Sequence, residues 1–288
     1  MSTEGHTLSS QAQLLAEPLE HLINRGGIEV PMLPEVANKA LLLAQNSDSD
    51  ASEMAQLIQS DQSLAGHVMR IANSAAYTPM SNLVSLQQAI ARLGMGVISE
   101  IALTAAIGAK MFNTPGYESY VAGVWRHALA TSLWAKEVAR HCRSNVEVAF
   151  LAGLLHSIGR PAILQTIIEL AKKDQVDLTV EDIHQLENTY SHRVSEAVVN
   201  LWKMPTLVVE AVSSYTDYNN ALATSSQTAQ VTIGARFATY MLTPEKLDKE
   251  TLFVLPALAT LNLYQDEVES LLNQTDAIKA RLEGYHHE

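Results

Sequence analysis

The chain has 288 residues, 47% hydrophobic and 17% charged, a formal net charge of −12 and one cysteine, Cys142. So much apolar residue excludes a disordered chain and supplies one large core or two moderate ones, while the acidic balance, with no Lys/Arg run, excludes the broad basic face by which duplex-binding proteins release counterions. A lone cysteine excludes an intrachain disulfide and suits a reducing compartment. No basic segment leads into an apolar core at the N-terminus, and no apolar run approaches the roughly 20 residues of a membrane span. The expectation is a cytoplasmic protein without a membrane segment.

Apolar residues recur at helical spacing almost throughout, and no segment alternates as a strand would. With only 13 Gly and 9 Pro as punctuation, this predicts an all-α fold. Leu14, Leu15, Leu19, Leu22 and Ile23 form a first stripe, ended by Gly26-Gly27. Pro34 opens a second helix through Ala44 from its first turn. Asp50 and Glu53 have capping-box spacing ahead of Leu57 and Ile58, and a further helix covers about 62–73. Ser85 caps a helix that Gly94 ends, and a long apolar helix covers about 96–112. After the break at Asn113-Thr114-Pro115-Gly116, helices are expected near 118–142, 146–157, 161–173, 180–188, 190–202, 206–215 and 226–242, with Asn145, Thr179 and Thr206 as caps. Residues 221–227 form a small polar loop. Beyond Thr243-Pro244 the chain continues as helices. Leu263, Val268, Leu271, Leu272, Ile278 and Leu282 give the last one an apolar face for its own domain.

One stretch carries a chemical signature. Gly153-Leu154-Leu155-His156-Ser157-Ile158-Gly159-Arg160 resembles the metal-binding turn of HD-type phosphohydrolases, with serine in place of the usual aspartate and arginine in place of lysine. Further pieces accompany it: Leu33-Pro34-Glu35-Val36, Asp61-Gln62-Ser63-Leu64, Val68 to Ala75 with Asn73-Ser74 at its end, Ile90-Ala91-Arg92-Leu93-Gly94, Trp125-Arg126-His127, and His192 ahead of Leu201-Trp202-Lys203-Met204-Pro205. In this order they resemble the HDOD domain, a relative of the HD phosphohydrolases, over about residues 30–220. The pattern departs from that family at Gln62, Ser157 and Arg160. The resemblance implies a multi-helical HD-like bundle with an N-terminal helical portion. The expected division is 8–116 for that portion, 117–242 for a degenerate bundle and 243–288 for a C-terminal helical extension packed on it. It also implies a non-catalytic role in bacterial signalling.

Mapped onto this chain, an HD-type site places His127 first, His156 and Ser157 as the pair, and His192 next. Its paired histidines fall near Ser213-Ser214-Tyr215 and its late aspartate near Gly234-Ala235-Arg236, so that the remnant positions are His127, His156, Ser157, His192 and Ala235. Three imidazoles survive and every expected carboxylate is missing. Magnesium and manganese favour oxygen donors, so no cofactor is expected. Zinc on His127, His156 and His192 is the alternative; the other reading makes these rings polar core residues with satisfied hydrogen bonds. Arg160, Arg126 and Arg193 flank the histidines and are candidates for an anion or nucleotide site, because guanidinium matches phosphate bidentately.

Three functions are weighed. The leading one is a non-enzymatic signalling or scaffold module working through protein partners and gated by a small anionic ligand. The second is a metal-dependent phosphohydrolase acting on a phosphodiester or nucleotide with a reduced ligand set. The third is a DNA-binding regulator, since 50–73 has the outline of a helix-turn-helix. Its second helix offers only His67 and Arg70 as basic contacts, too few for a phosphate footprint, which favours an α-hairpin of the core.

Overall fold

The computed structural model describes residues 8–78, 82–108, 111–215 and 225–286. Helices alone make up the regular structure of these residues. The first six are α1 (Ser10–Asn24), α2 (Glu35–Gln45), α3 (Ala51–Gln59), α4 (Gln62–Ala72), α5 (Leu86–Leu93) and α6 (Met95–Ala106). Next come α7 (Glu118–His141), α8 (Val146–Leu155), α9 (Gly159–Asp174), α10 (Val180–Leu201), α11 (Thr206–Ser214) and α12 (Ser225–Leu242). A 3₁₀ turn at Pro244–Lys246 leads to α13 (Lys249–Leu252), α14 (Pro256–Thr260), α15 (Gln265–Leu272) and α16 (Thr275–His286).

Short polar side chains set most starts. Asp50 and Glu53 form a reciprocal capping box on α3, Ser85 accepts from Gln88 N on α5, Asn145 caps α8, and Thr179 with Asp182 boxes α10. Several boundaries differ from the sequence expectations. Pro34 and Pro205 occupy the N-cap positions of α2 and α11, so Thr206 is the first helical residue and not the cap. The helix expected over 96–112 stops at Ala106, just before Gly108, a residue helices disfavour. The helices expected at 180–188 and 190–202 are one, α10; Thr189 satisfies its hydroxyl on the Gln185 carbonyl (2.9 Å) and does not break it. The final apolar face is shared by α15 and α16, which Asn273-Gln274 separates. The polar loop expected at 221–227 lies mostly outside the described residues.

The buried residues sort into two cores. The smaller draws Ala40, Met54, Ile58, Val68, Ile71, Ile90, Ile98 and Ile101 from α2 to α6. The larger takes an adjoining face of α2 (Ala37, Leu41), the end of α6 and nearly everything from α7 onward. α1 joins the larger core by packing on α9 and α10, so the segment 8–116 feeds both. α7 is the axis, covered by α8, α12 and α16. Two glycines bring its neighbours close: a Cβ on Gly153 would stand 2.7 Å from Ser132 Cα, and one on Gly234 2.8 Å from Ala135 N. The stretch Val146–Asp174, which holds α8 and α9, is long and apolar enough to cross a membrane, contrary to expectation, but 78% of its apolar window is buried in this core.

Candidate functional site

The remnant pocket lies where α7, the α8–α9 turn, α10, the end of α11 and α12 meet. His127 is on α7, with Thr131 one turn later. Opposite it on α12, Thr239 donates its hydroxyl to the Ala235 carbonyl (2.9 Å), so its oxygen accepts from His127 Nε2–H at 2.9 Å. The other ring nitrogen, Nδ1, faces Thr131 Oγ1 at 3.5 Å. Ala235 thus enters the site through its backbone oxygen, as the anchor of Thr239. Burial, followed by the positive charge of Arg160, holds the His127 imidazole below its ordinary pKa.

His156 caps α8 and is 4% exposed. Its Nδ1–H donates to the Gly153 carbonyl at 2.7 Å, which leaves Nε2 as a bare lone pair. Burial first, then the charges of His127 and Arg160, lower its pKa to about 3, so the ring is neutral around pH 7. His192, on α10, keeps an enclosed Nδ1 with no hydrogen-bond partner among the described residues. Tyr215, the residue after α11, stands between the two: its ring centroid is 5.0 Å from that of His156, edge-on, and 6.2 Å from that of His192. His127 and His156 are 6.2 Å apart by the same measure. The surviving histidines therefore form a row interrupted by a phenol ring.

Ser157 is 8% exposed and lines a narrow apolar crevice with Val121, Val124, Trp125 and Pro161. Just beyond it, α9 is seated tightly on α10. Gly159 N donates to Ser195 Oγ (2.9 Å), and a Cβ on Gly159 would fall 2.2 Å from the Ser191 carbonyl oxygen.

The three arginines do not converge. Arg126 is exposed on α7. Arg193 is turned to α1, donating to Asn24 Oδ1 (2.5 Å) and lying 3.4 Å from Glu20. Arg160, 32% exposed, donates through Nη2 to Asn188 Oδ1 (3.0 Å) and places Nη1 3.7 Å from Glu187 Oε2. Glu187 is completely enclosed; its Oε2 accepts from the Tyr120 hydroxyl and its Oε1 has no partner among the described residues. Burial raises its pKa to about 7 against the opposing pull of Tyr120 and Arg160. Burial and the adjacent carboxylate push the Tyr120 phenol upward as well.

Glu187 was absent from the residues picked out by sequence, and Tyr215 entered only as part of the Ser213-Ser214-Tyr215 stretch where paired histidines were expected. A signal for Glu187 existed: it falls on the buried stripe Ile183, Tyr190, Val194, where a carboxylate is out of place. The helix-turn-helix outline of α3 and α4 proves to be a hairpin built into the smaller core, with Arg70 turned onto the Gly284 carbonyl (3.4 Å).

This donor set does not fit a divalent cation. His127 commits its Nε2–H to Thr239, Tyr215 separates His156 from His192, and among the described residues no three His, Cys, Asp or Glu side chains come together in a ligating group.

The fold has solved relatives. An HDOD domain protein of unknown function from Geobacter sulfurreducens superposes with a TM-score of 0.74 at 19% identity, over 96% of this chain and 100% of its own. A protein from Shewanella amazonensis SB2B, provisionally named a metal-dependent phosphohydrolase, gives 0.73 at 21% identity, over 95% and 100%. A curated relative from Treponema pallidum (strain Nichols), named only as an uncharacterized protein, is 20% identical over 193 residues; the match spans 64% of this chain and 37% of the relative. The HDOD domain profile matches residues 30–218, from the loop before α2 past α11 and thus across His127, the His156 turn and His192. With most of its length inside that match, the chain belongs to the HDOD domain family.

Proposed function

We propose that the chain is a non-catalytic signalling module that works through contact with protein partners, and that its remnant pocket takes a small oxyanion at Arg160 in place of a metal ion. One observation carries this reading: two of the three surviving histidines are committed to partners within the protein and not to a cation. His127 is held by Thr239 and His156 by Gly153, and the positive charge of Arg160 acts on both rings. A neutral imidazole pair next to a fixed positive charge neither attracts Mg²⁺ nor polarises water against phosphorus. The same charge favours phosphate-like anions.

One feature favours the phosphohydrolase alternative: the Nδ1–H bond of His156 to a carbonyl leaves Nε2 in the tautomer that metal-ligating histidines use. Elemental analysis of protein purified without chelator separates the readings. The signalling module carries well under one metal per chain. Near-stoichiometric metal that disappears in His156→Ala, with hydrolysis of a generic phosphodiester, would reverse the ranking.

A further inference from the structure

Glu187 is the buried ionisable group that the proposed function leaves unused. Its enclosure is complete, and among the described residues one oxygen has a single donor in Tyr120, the other has none, and the nearest cation stops at 3.7 Å. That separation is beyond hydrogen-bonding range. Arg160 meanwhile donates to Asn188, also interacts with the Tyr120 hydroxyl, and keeps about a third of its side chain in solvent. The guanidinium thus stands between an internal carboxylate that it reaches poorly and whatever arrives from solution. An oxyanion bound to Arg160 would neutralise the charge that helps to keep Glu187 ionised. A buried carboxylate with one donor and no effective counter-charge is more stable protonated.

We infer that Arg160 and Glu187 form a proton-coupled gate, in which a phosphate- or sulfate-class oxyanion is bound by Arg160 as Glu187 takes up one proton. This rests on the anion reading above and adds its regulation. The exchange is balanced: one anion arrives, one proton adds to the Glu187 carboxylate, and no covalent bond changes. The neighbours are compatible. From α7, Tyr120 donates to Glu187, and His184 of α10 packs on the Tyr120 ring at 5.4 Å. From α9 comes Arg160 itself, while Asn188 beside it is uncharged. α1 directs Glu20 to Arg193 and Ser9 to Asp182, and α11 brings no titratable group to bear on Glu187. His127 and His156, both held neutral by burial and by Arg160, do not compete for the proton. Because burial already places Glu187 at about 7, the gate would work near neutrality.

The probe is sulfate, which does not titrate near neutrality as phosphate does. Its affinity is measured at constant ionic strength from the arginine Nε–H resonances in NMR, from about pH 6 to about pH 9. If binding requires protonated Glu187, affinity weakens about tenfold per pH unit above the Glu187 midpoint, because the competent fraction falls by that factor. Arg160→Gln should lose binding. Glu187→Gln should bind with no pH dependence, at least as tightly as the parent does at the acid end. Tyr120→Phe removes a donor to the carboxylate and should move the midpoint to higher pH, a shift that general loosening of the fold does not produce. Sulfate that binds at Arg160 with the same pH profile in parent and Glu187→Gln overturns the gate and leaves the anion site standing. Absence of binding in Glu187→Gln, where the competitor is gone, overturns both.

Discussion

Glu187 and His156 are both buried and pull stability in opposite directions with pH. Glu187 has a folded pKa of about 7 against an ordinary 4.5. Its contribution is therefore fully present below 4.5 and is lost as pH rises through 7. His156 has its folded pKa lowered from 6.5 to about 3. Its contribution is present above 6.5 and is lost as pH falls towards 3. Denaturant titrations of the parent and of Glu187→Gln isolate the first effect. The variant should gain about 2–3 kcal/mol on the parent between pH 5 and pH 8, since each pKa unit corresponds to about 1.4 kcal/mol. An equal difference at the two pH values would mean that Glu187 is ionised in the fold at both. His156→Gln keeps a donor for the Gly153 carbonyl and should flatten the acid limb, with less stability lost between pH 6 and pH 4 than in the parent. At this scale the sequence was half legible. His127, His156 and His192 could be placed because motif spacing fixes position along a helix. Glu187 could not, and Tyr215 was located only as part of the Ser213-Ser214-Tyr215 stretch, because which side chain fills a vacated pocket depends on how α10, α11 and α7 converge. Local spacing carries no information about that convergence.

Among the helices, glycines that look alike in sequence do different work. Gly94, between α5 and α6, sits at φ 85°, ψ 158°, a region open essentially to glycine alone, yet a Cβ there would meet nothing within 4 Å. Its replacement brings backbone strain without a clash. Gly94→Val should lower stability by about 1–3 kcal/mol, seen as a drop of several degrees in melting temperature with an unchanged far-UV spectrum. An unaltered melting temperature would contradict the assigned φ. Gly159 has the opposite problem, ordinary helical backbone with no room, since the Ser191 carbonyl and Ser195 lie where a methyl would go. Gly159→Ala should therefore be the more damaging, forcing α9 away from α10 and breaking the bond to Ser195 Oγ. Helix starts were legible because Asp50, Ser85, Asn145 and Thr179 act locally. The ends of α6 and the continuity of α10 were not. Gly108 and Thr189 are both weak local signals, and packing decides which of them stops a helix.

The molecule as a whole depends on how its two cores are held together. Where they meet, Lys136 of α7 reaches into the carboxylate of Glu100 on α6 with Nζ–O distances of 2.5 and 2.7 Å, and both side chains are nearly closed to solvent. Burial works to raise the Glu100 pKa and Lys136 opposes it. The Lys136 ammonium also lies 5.5 Å from the centre of the Phe150 ring on α8. Near the Glu100 carboxylate, α16 returns to the turn after α4, where Tyr285 and Tyr77 share a 3.0 Å hydrogen bond between hydroxyls. Removing one member of a buried pair leaves an uncompensated charge and costs about 3–5 kcal/mol, whereas replacing both by apolar residues is often nearly neutral. Lys136→Met should accordingly be strongly destabilising, and Lys136→Met with Glu100→Leu should recover most of the loss. The variants also report on coupling between the cores. Trp125, Trp134 and Trp202 all belong to the larger one, so tryptophan fluorescence follows it alone while far-UV circular dichroism follows both. In the parent the two urea transitions should coincide. In Lys136→Met the dichroism should begin to fall at lower urea than the fluorescence, as α3 to α5 come away while the tryptophan-bearing bundle is still folded. Coincident transitions in that variant would mean that apolar contacts of α2 and α6, which serve both cores, are sufficient to keep them cooperative without the ion pair.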